Sequence, residues 1–322
     1  MISVALRQHR SQLYASLGVM LVISALLVWT GHQMTSYLHA SGLGACLAAH
    51  GGGCDSFSQL FENRYGGLLS KVAYLNFLPM LVGIFWGAPL VAREMETGTY
   101  RLAWTQSITR QRWLSSKLAL FVVSTVALGA AFSLLLGWWL HPFAQLQFGG
   151  GYSRMSQDSF DFQGIVPIAY SLFAFSVGAA AGAIARRVLP AMAITFAVYL
   201  PLRLWVQSLR AHFATPLAIK YQALTTSPRS GLGDWVIQSR IVNGAGRTVS
   251  DQTVFSACGV GPSTQKADVF RCLAASGYRQ IDLYQPASRF WAFQAIEFAI
   301  FAGLALLLLV ITLLWVTRRS TS

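Results

Sequence analysis

Six long stretches with almost no charged residues constrain this chain more than any other feature of its sequence. Crossing the ~30 Å hydrocarbon layer of a bilayer takes roughly 20 apolar residues in a helix. The stretches are Leu13–Gly31, Val72–Ala92, Leu118–Leu140, Ile165–Ala185, Val188–Val206 and Phe290–Val316. Arg203 and Glu297 are the charged residues that interrupt the last two stretches. The sequence therefore predicts an all-α polytopic membrane protein with six transmembrane helices.

Composition supports this prediction and excludes the soluble classes. Only 11% of the 322 residues are charged, whereas an average soluble domain has about 25%. A soluble enzyme or DNA-binding factor with so few charges could not cover its surface, so we expect no nucleic-acid partner despite the net charge of +13. We expect the first stretch to be a retained span, because 19 apolar residues exceed the ~7–15 residues of a signal-peptide core.

The distribution of basic residues predicts the orientation. With both termini inside, the inner segments 1–12, 93–117, 186–187 and 317–322 hold 11 Lys and Arg in 45 residues. The two shorter outer loops, 32–71 and 141–164, hold only 3 in 64 residues. Because short cytoplasmic segments carry an excess of Lys and Arg, both termini are predicted to be cytosolic. Segment 1–12 is either an interfacial helix or an unstructured tail.

The sequence divides into three parts: residues 1–206 with spans one to five, an extracellular loop 207–289, and residues 290–322 with span six and a cytosolic tail. The 83-residue loop is too long for a simple connection. It contains a predicted strand at Trp235–Val242 and a turn signal at Asn243. We therefore expect a small, partly ordered extracellular subdomain.

All four cysteines lie in predicted outer loops, where disulfides persist. They are Cys46, Cys54, Cys258 and Cys272. Four cysteines allow three pairings, of which Cys46–Cys54 with Cys258–Cys272 is favoured because each bond stays within one loop. Unpaired thiols remain the alternative.

Arg203 and Glu297 lie at similar depths in the outer half of the predicted membrane region. An ionisable group inside a span is costly and usually faces a partner or a cavity. One interpretation is an Arg203–Glu297 pair that gates or lines a pathway. The other is that Arg203 extends to the outer headgroups and neutral donors hold Glu297.

The sequence contains no pattern of a known membrane enzyme. It lacks a His-Glu-x-x-His zinc motif and a phosphate-binding Gly-x-x-x-x-Gly-Lys-Ser/Thr loop, and no pair of aspartates lies within the spans. We therefore predict no catalytic site, no metal site and no enzyme activity. If ATP drives this protein, another chain must bind it.

Loop 93–117 is the one substantial segment that we place in the cytosol. It combines Glu94 and Glu96 with five basic residues and three aromatic residues. We expect the helix of span two to break near Gly98 and the next span to begin at a Ser107 or Thr109 cap. Such a loop is either a docking surface for another protein or a solvated basic loop against the headgroups.

The stretch from Ala92 to Trp113, Ala-Arg-Glu-Met-Glu-Thr-Gly-Thr-Tyr-Arg-Leu-Ala-Trp-Thr-Gln-Ser-Ile-Thr-Arg-Gln-Arg-Trp, closely resembles the loop after span two of ABC-2-type transporter permeases. In that family an acid, a Gly-Thr or Gly-Ser pair and a downstream Ser/Thr-Arg mark the region that couples to the ATPase subunit. The sequence from Tyr284 to Trp291 before the Glu-bearing last span also resembles the bacterial branch. One departure is Gln106, which stands where the family usually has proline.

This resemblance implies a half-transporter that exports its substrate. Two copies, or this chain and a paralogue, would form the pathway among membrane lipids. ATP and Mg²⁺ would be bound by a separate cytosolic ATPase, so no cofactor is expected in this chain. The implied coupling residues are Glu94, Glu96, Gly98, Thr99, Arg101, Trp104, Ser107 and Arg110. Both acids would face basic groups of the ATPase, with Trp104 as the apolar anchor.

The cargo cannot be derived from these residues. Spans rich in Leu, Phe and Ala suit a lipophilic or amphiphilic substrate, and they equally suit ordinary helix packing. The alternative function is a non-transporting membrane sensor or assembly factor whose extracellular loop binds a ligand.

Overall fold

The computed structural model describes residues 2–42, 46, 55–98, 109–145, 153–223, 233–258, 271–273 and 275–318. Within these residues, six helical segments are long and apolar enough to cross a membrane, which confirms the prediction of six spans. We number them as spans one to six: Leu17–Ala40, Phe57–Thr97, Gln111–Ala144, Val166–Ala185, Val188–His212 and Ala287–Arg318. The chain forms two compact units, which we describe separately.

The first unit, here called the helical unit, contains the larger part of each of the six spans. Span one belongs to one helix, Ile2–Ala40, so the unstructured-tail alternative for segment 1–12 is wrong from Ile2 onward. Span three belongs to the helix Arg110–Gln145, span four is Val166–Ala185, and span six belongs to Phe290–Arg318. Span five is the helix Val188–Leu209 followed by a 3₁₀ turn, Arg210–His212.

Span two is longer and less regular than the sequence predicts. Its consecutive segments are the α-helix Asp55–Val72, the 3₁₀ turn Ala73–Phe77, the α-helix Leu78–Val82, the π-helical turn Gly83–Gly87 and the α-helix Ala88–Thr97. The prediction assigned residues 55–71 to an outer loop, because Glu62, Arg64 and Lys71 interrupt the apolar pattern there. A helix can extend beyond its apolar window in this way, so hydropathy alone underestimates its length.

The π-helical turn of span two lies directly before Pro89. Proline has no N–H and its ring clashes with the preceding helical turn, which breaks the regular hydrogen-bond pattern. The N–H of Ala88 accordingly donates to the carbonyl of Gly83, five residues earlier. Such π turns occur often at functional sites.

Span four is the central helix of the helical unit. Of its apolar window, 78% is buried, against 17–56% for the other spans. Glycines bring its backbone against span two: a Cβ added to Gly178 would lie 2.2 Å from the Gly83 oxygen, and one added to Gly182 would lie 2.5 Å from the Ala88 oxygen. Gly178 and Gly182 therefore form a close helix contact within this chain.

Spans four and five are joined by a very short turn. Span four ends at Arg186, which adopts the left-handed conformation with φ 55° and donates its N–H to the carbonyl of Gly182. Span five begins two residues later, at Val188. This geometry makes the two spans antiparallel neighbours.

The second unit, here called the sheet unit, comprises the described residues of Phe143–Ser159 and Leu209–Phe290. Its four strands are β1 (Leu217–Gln222), β2 (Trp235–Val242), β3 (Thr248–Val249) and β4 (Arg279–Gln285). They form one antiparallel sheet in the order β1-β4-β2-β3. The predicted strand Trp235–Val242 is confirmed, but the all-α description is wrong for this unit, because its Ile-, Val- and Tyr-rich segments pair as strands.

The disulfide between Cys258 and Cys272 has its Cα atoms 5.7 Å apart. It follows the short helix Asp251–Ala257, whose N-terminus is capped by the Ser250 hydroxyl. Cys46 is also disulfide-bonded, while Cys54 lies outside the described residues.

Candidate functional site

The first candidate site is the end of the helical unit at which the 93–117 loop leaves span two. Span two ends at Gly98, where φ is 73°, and this confirms the predicted helix break. Span three's helix begins at Arg110, and the backbone N–H of Arg112 donates to the Thr109 hydroxyl oxygen at 3.4 Å. Of the predicted coupling residues, Thr99, Arg101, Trp104 and Ser107 lie outside the described residues.

Glu94 and Lys117 form a buried ion pair that joins the end of span two to the start of span three. The two residues are only 4% and 5% exposed. The Lys117 ammonium also lies 4.6 Å from the centre of the Trp113 ring, a favourable cation–π distance. The prediction that Glu94 faces basic groups of another protein is therefore wrong, because a basic group of this chain already pairs with its buried carboxylate.

Glu96 connects the same end of span two to span five. Its Oε2 accepts a hydrogen bond of 3.0 Å from the backbone N–H of Val188, the first residue of span five. A helix N-terminus carries unsatisfied N–H groups and a partial positive charge, so a carboxylate stabilises it. Unlike Glu94, Glu96 is exposed.

These two acids give the loop end a defined mechanical arrangement. Glu94 fixes span two to span three, and Glu96 fixes span two to the turn between spans four and five. A displacement of Gly98, directly beyond both acids, would therefore act on four spans. The two contacts therefore connect span two to its neighbours at this end of the helical unit.

The second candidate site is a buried polar cluster of spans four, five and six and the segment before span four, here called the Arg203 cluster and made of Asp161, Tyr170, Arg203 and Glu297. All four are at most 6% exposed. Arg203 lies 15 residues beyond Val188, which is about 22 Å along a helix. The cluster is therefore far from the 93–117 loop.

Arg203 binds Asp161 most closely, with 2.7 Å between Nη2 and Oδ2. The Glu297 Oε1 lies 3.9 Å from the other terminal nitrogen, Nη1. The guanidinium carbon is 3.7 Å from the centre of the Tyr170 ring, and Gln207 donates to Asp161 at 3.4 Å. The structure thus brings Arg203 and Glu297 together, but the closest partner of Arg203 is Asp161.

The Tyr170 hydroxyl contacts both carboxyl groups of the cluster. It is 3.1 Å from Asp161 Oδ1 and also forms a short hydrogen bond with Glu297 Oε1. Asp161 and Tyr170 were absent from the prediction, because Asp161 follows a polar segment that reads as an outer loop. The signal that could have found Asp161 was its position four residues before the apolar run of span four, within reach of a buried arginine.

Gln294 of span six holds the segment that carries Asp161. Its Oε1 accepts the backbone N–H groups of Ile165 and Val166, each at 3.0 Å, and its Nε2 donates to the Phe160 carbonyl at 3.1 Å. These bonds satisfy the free N–H groups at the start of span four. Span six therefore positions both Glu297 and the aspartate that binds Arg203.

An apolar cavity of about 370 Å³ lies among the spans of the helical unit. Its walls include Val19 of span one, Phe85 and Trp86 of span two, and Leu128 and Phe132 of span three. The cavity borders the π-helical turn Gly83–Gly87. Pockets that bind small molecules typically have about 300–1,000 Å³ and mostly apolar walls.

Within the described residues, no group of three His, Cys, Asp or Glu side chains is placed to hold a metal ion. The features of the helical unit define a class of protein: a multi-pass membrane protein whose irregular second span is held to neighbouring spans by the carboxylates of two acidic residues. The family model described as ABC-2 membrane transporter related matches residues 17–210, and the chain belongs to this family. This match confirms the resemblance found in the 93–117 loop. The curated proteins and the solved structures give no significant match.

Proposed function

We propose that this chain is the permease subunit of an ABC-2-type exporter and that its 93–117 loop couples it to a separate ATPase. Family membership supports a permease-like membrane protein. The observation that carries the coupling proposal is the pair of contacts made by Glu94 and Glu96 at the loop end. Coupling needs a surface whose displacement reaches several spans at once, and these contacts supply it.

The proposed mechanism is a rigid-body movement. ATP binding closes the ATPase dimer, which displaces the part of the loop beyond Gly98. Lys117 and Val188 transmit that displacement to spans three and five through the two acids. Because a tight turn joins spans four and five, span four moves together with spans three and five. This movement shifts span four relative to span two at their glycine contact.

The orientation that we propose for the chain in the membrane is based on the distribution of its basic residues. Eleven Lys and Arg lie in the 45 residues of the predicted inner segments, which include the 93–117 loop, and the positive-inside rule favours a cytoplasmic location for such segments. The sheet unit would then be extracellular, in a bacterial plasma membrane. Its disulfide between Cys258 and Cys272 suits that compartment.

For the substrate we propose a lipophilic or amphiphilic molecule. The support is the apolar cavity at the π-helical turn of span two. The turn borders both the cavity and the glycine contact with span four, so movement of these spans would change the cavity. A second copy or a paralogue would complete the pathway, and the partner ATPase would bind ATP and Mg²⁺.

Purification of the tagged full chain from its native membrane tests this proposal. Mass spectrometry of the purified complex should find an ATPase with a phosphate-binding loop. Trp104→Ala should reduce the ATPase yield at least tenfold, because Trp104 is the proposed apolar anchor. Trp205→Ala is the matched control, since Trp205 is 60% exposed on span five and should leave the yield unchanged. A complex without any ATPase would refute the proposal.

A further inference from the structure

The apolar cavity of the helical unit has both exposed and buried residues in its wall. Val19 of span one and Leu81 and Phe85 of span two are exposed on the chain, whereas Thr125 and Phe132 of span three are buried. The exposed residues lie within segments long and apolar enough to cross a membrane. A molecule dissolved in the hydrocarbon layer can therefore reach the cavity from the side.

The described wall residues carry no ionisable side chain. The larger side chains of the wall are three aromatic residues and two methionines: Phe85, Trp86, Phe132, Met20 and Met192. Methionine is flexible and polarizable, so it adapts to ligands of different shape. An ion that entered this part of the wall would find no opposite charge there, and burying an unpaired charge is strongly unfavourable. The wall therefore selects an uncharged molecule.

The volume of the cavity limits the size of that molecule. The cavity has about 370 Å³, and an apolar cavity of about 150 Å³ in another protein binds one benzene molecule. A ligand of roughly two rings therefore fits.

Thr125 places a hydroxyl group without a hydrogen-bond partner at this wall. The residue is 1% exposed, and its hydroxyl has no partner among the described residues. Other hydroxyl groups of the spans are engaged: Thr195 donates to the Ala191 carbonyl at 2.7 Å. In the same wall, Ser171 donates to the Pro167 carbonyl at 2.9 Å. The hydrogen of the Thr125 hydroxyl is thus left for a ligand.

We propose that the cavity binds an uncharged molecule of roughly two rings, with one acceptor oxygen that receives a hydrogen bond from Thr125. A buried hydroxyl without a partner is unfavourable, and the ligand oxygen removes this cost. Threonine adopts two χ1 rotamers in helices, so the hydroxyl can turn toward the ligand. The role of this molecule as the exported substrate rests on the proposed function, whereas its binding needs only this chain.

Equilibrium binding of tritiated benzophenone to the purified full chain in lipid nanodiscs tests the proposal. Benzophenone is an uncharged two-ring ketone, and empty nanodiscs measure the amount that dissolves in the lipid. We expect saturable binding above that background. The carboxylate analogue 4-benzoylbenzoate should bind at least about tenfold more weakly, because its charge has no partner in the wall. Binding that never saturates, or equal affinity for the two probes, overturns the proposal.

Thr125→Val isolates the proposed hydrogen bond. The variant should bind benzophenone about three- to tenfold more weakly, which is the contribution of one neutral hydrogen bond. Diphenylmethane has the same two rings but no oxygen, so its affinity should be the same in the variant and the wild type. Without a probe, the variant should unfold at or above the wild-type midpoint, because it removes an unpaired buried hydroxyl. Equal weakening of both probes, or of neither, overturns the assignment of Thr125.

Two tryptophan substitutions on span one locate the binding site. Val19→Trp enlarges an exposed wall residue and should weaken benzophenone binding at least about tenfold, because the indole takes up space that the probe needs. Val28→Trp is the matched control, since Val28 is exposed on the same helix about two and a half turns away and is not a wall residue. Equal affinities of the two variants would place the probe elsewhere and overturn the site.

The binding assay and the ATPase co-purification can fail independently of each other. A chain that retains its ATPase but binds no benzophenone refutes the cavity site and leaves the proposed coupling intact. A chain that binds benzophenone at Thr125 but has no ATPase supports the site and refutes the proposed function.

Discussion

The contact between spans two and four yields the prediction with the best-defined geometry, Gly178→Ala. A Cβ on Gly178 would lie 2.2 Å from the Gly83 oxygen and 2.7 Å from the Ala88 nitrogen. Both atoms belong to the backbone at the two ends of the π-helical turn, where the Ala88 N–H donates to the Gly83 carbonyl. A single methyl group therefore forces the two helices apart, because no flexible side chain can yield.

The displacement and its cost follow from these distances. Ordinary van der Waals contact begins near 3.4 Å, so the helices must separate by about 1 Å. Overpacking a well-packed site costs about 1–3 kcal/mol, and alanine recovers up to about 1 kcal/mol through its higher helix propensity. Because only backbone atoms can yield here, we take the upper part of that range and expect a net loss of about 1–2 kcal/mol, at roughly 2–4 °C of unfolding midpoint per kcal/mol.

The assay is thermal unfolding of the purified full chain in detergent, compared with a matched variant. Gly303→Ala is the control, because Gly303 also lies within a span and a Cβ there meets nothing within 4 Å. The control should unfold at or slightly above the wild-type midpoint, and Gly178→Ala several degrees below it. Equal midpoints for the two variants would refute the close contact of spans two and four.

Three further substitutions test the other contacts. Glu94→Gln removes the buried partner of Lys117 and should lower the free energy of unfolding by about 3–5 kcal/mol. The double variant Glu94→Gln with Lys117→Met should recover much of that loss in the same unfolding assay, whereas a single variant as stable as the wild type would contradict the ion pair. Gln294→Met leaves buried N–H groups at the start of span four without their acceptor, at about 1–3 kcal/mol each, and a midpoint equal to the wild type would argue against this cap. Cys258→Ser with Cys272→Ser removes a disulfide that closes a loop with a sequence separation of 14, and a bond of this kind contributes about 3 kcal/mol to stability. Limited proteolysis should then cut the sheet unit faster than in the wild type while the spans resist, and equal cleavage rates in the two proteins would exclude a bracing role for the disulfide.

The number of spans could be predicted because hydropathy measures directly what a bilayer requires. The apolar windows of spans three to six are nearly uncharged, and their predicted and observed bounds differ by at most seven residues. The start of span two could not be predicted, because Glu62, Arg64 and Lys71 give that helix a polar composition. Its length depends on packing and on helix continuity, which hydropathy does not record.

The candidate sites show the same limit at the level of single side chains. The depths of Arg203 and Glu297 were sufficient to suggest a common location, but the central contact involves Asp161, which the sequence places outside any span. The family resemblance implies that Glu94 faces basic groups of the ATPase, but its carboxylate is buried against Lys117. Its partner Lys117 is 23 positions away, and only the three-dimensional arrangement of spans two and three brings the two charges together.

Photo-crosslinking at position 104 in living cells tests the central claim, that the 93–117 loop binds a separate ATPase. A photoreactive aromatic amino acid, which keeps a large apolar side chain at the proposed anchor, replaces Trp104, and the crosslinked partner is identified by mass spectrometry. The account predicts a crosslink to an ATPase chain with a phosphate-binding loop. The account is contradicted if position 104 crosslinks only to lipid or to extracellular components, or if a membrane-impermeant reagent labels it from outside the cell.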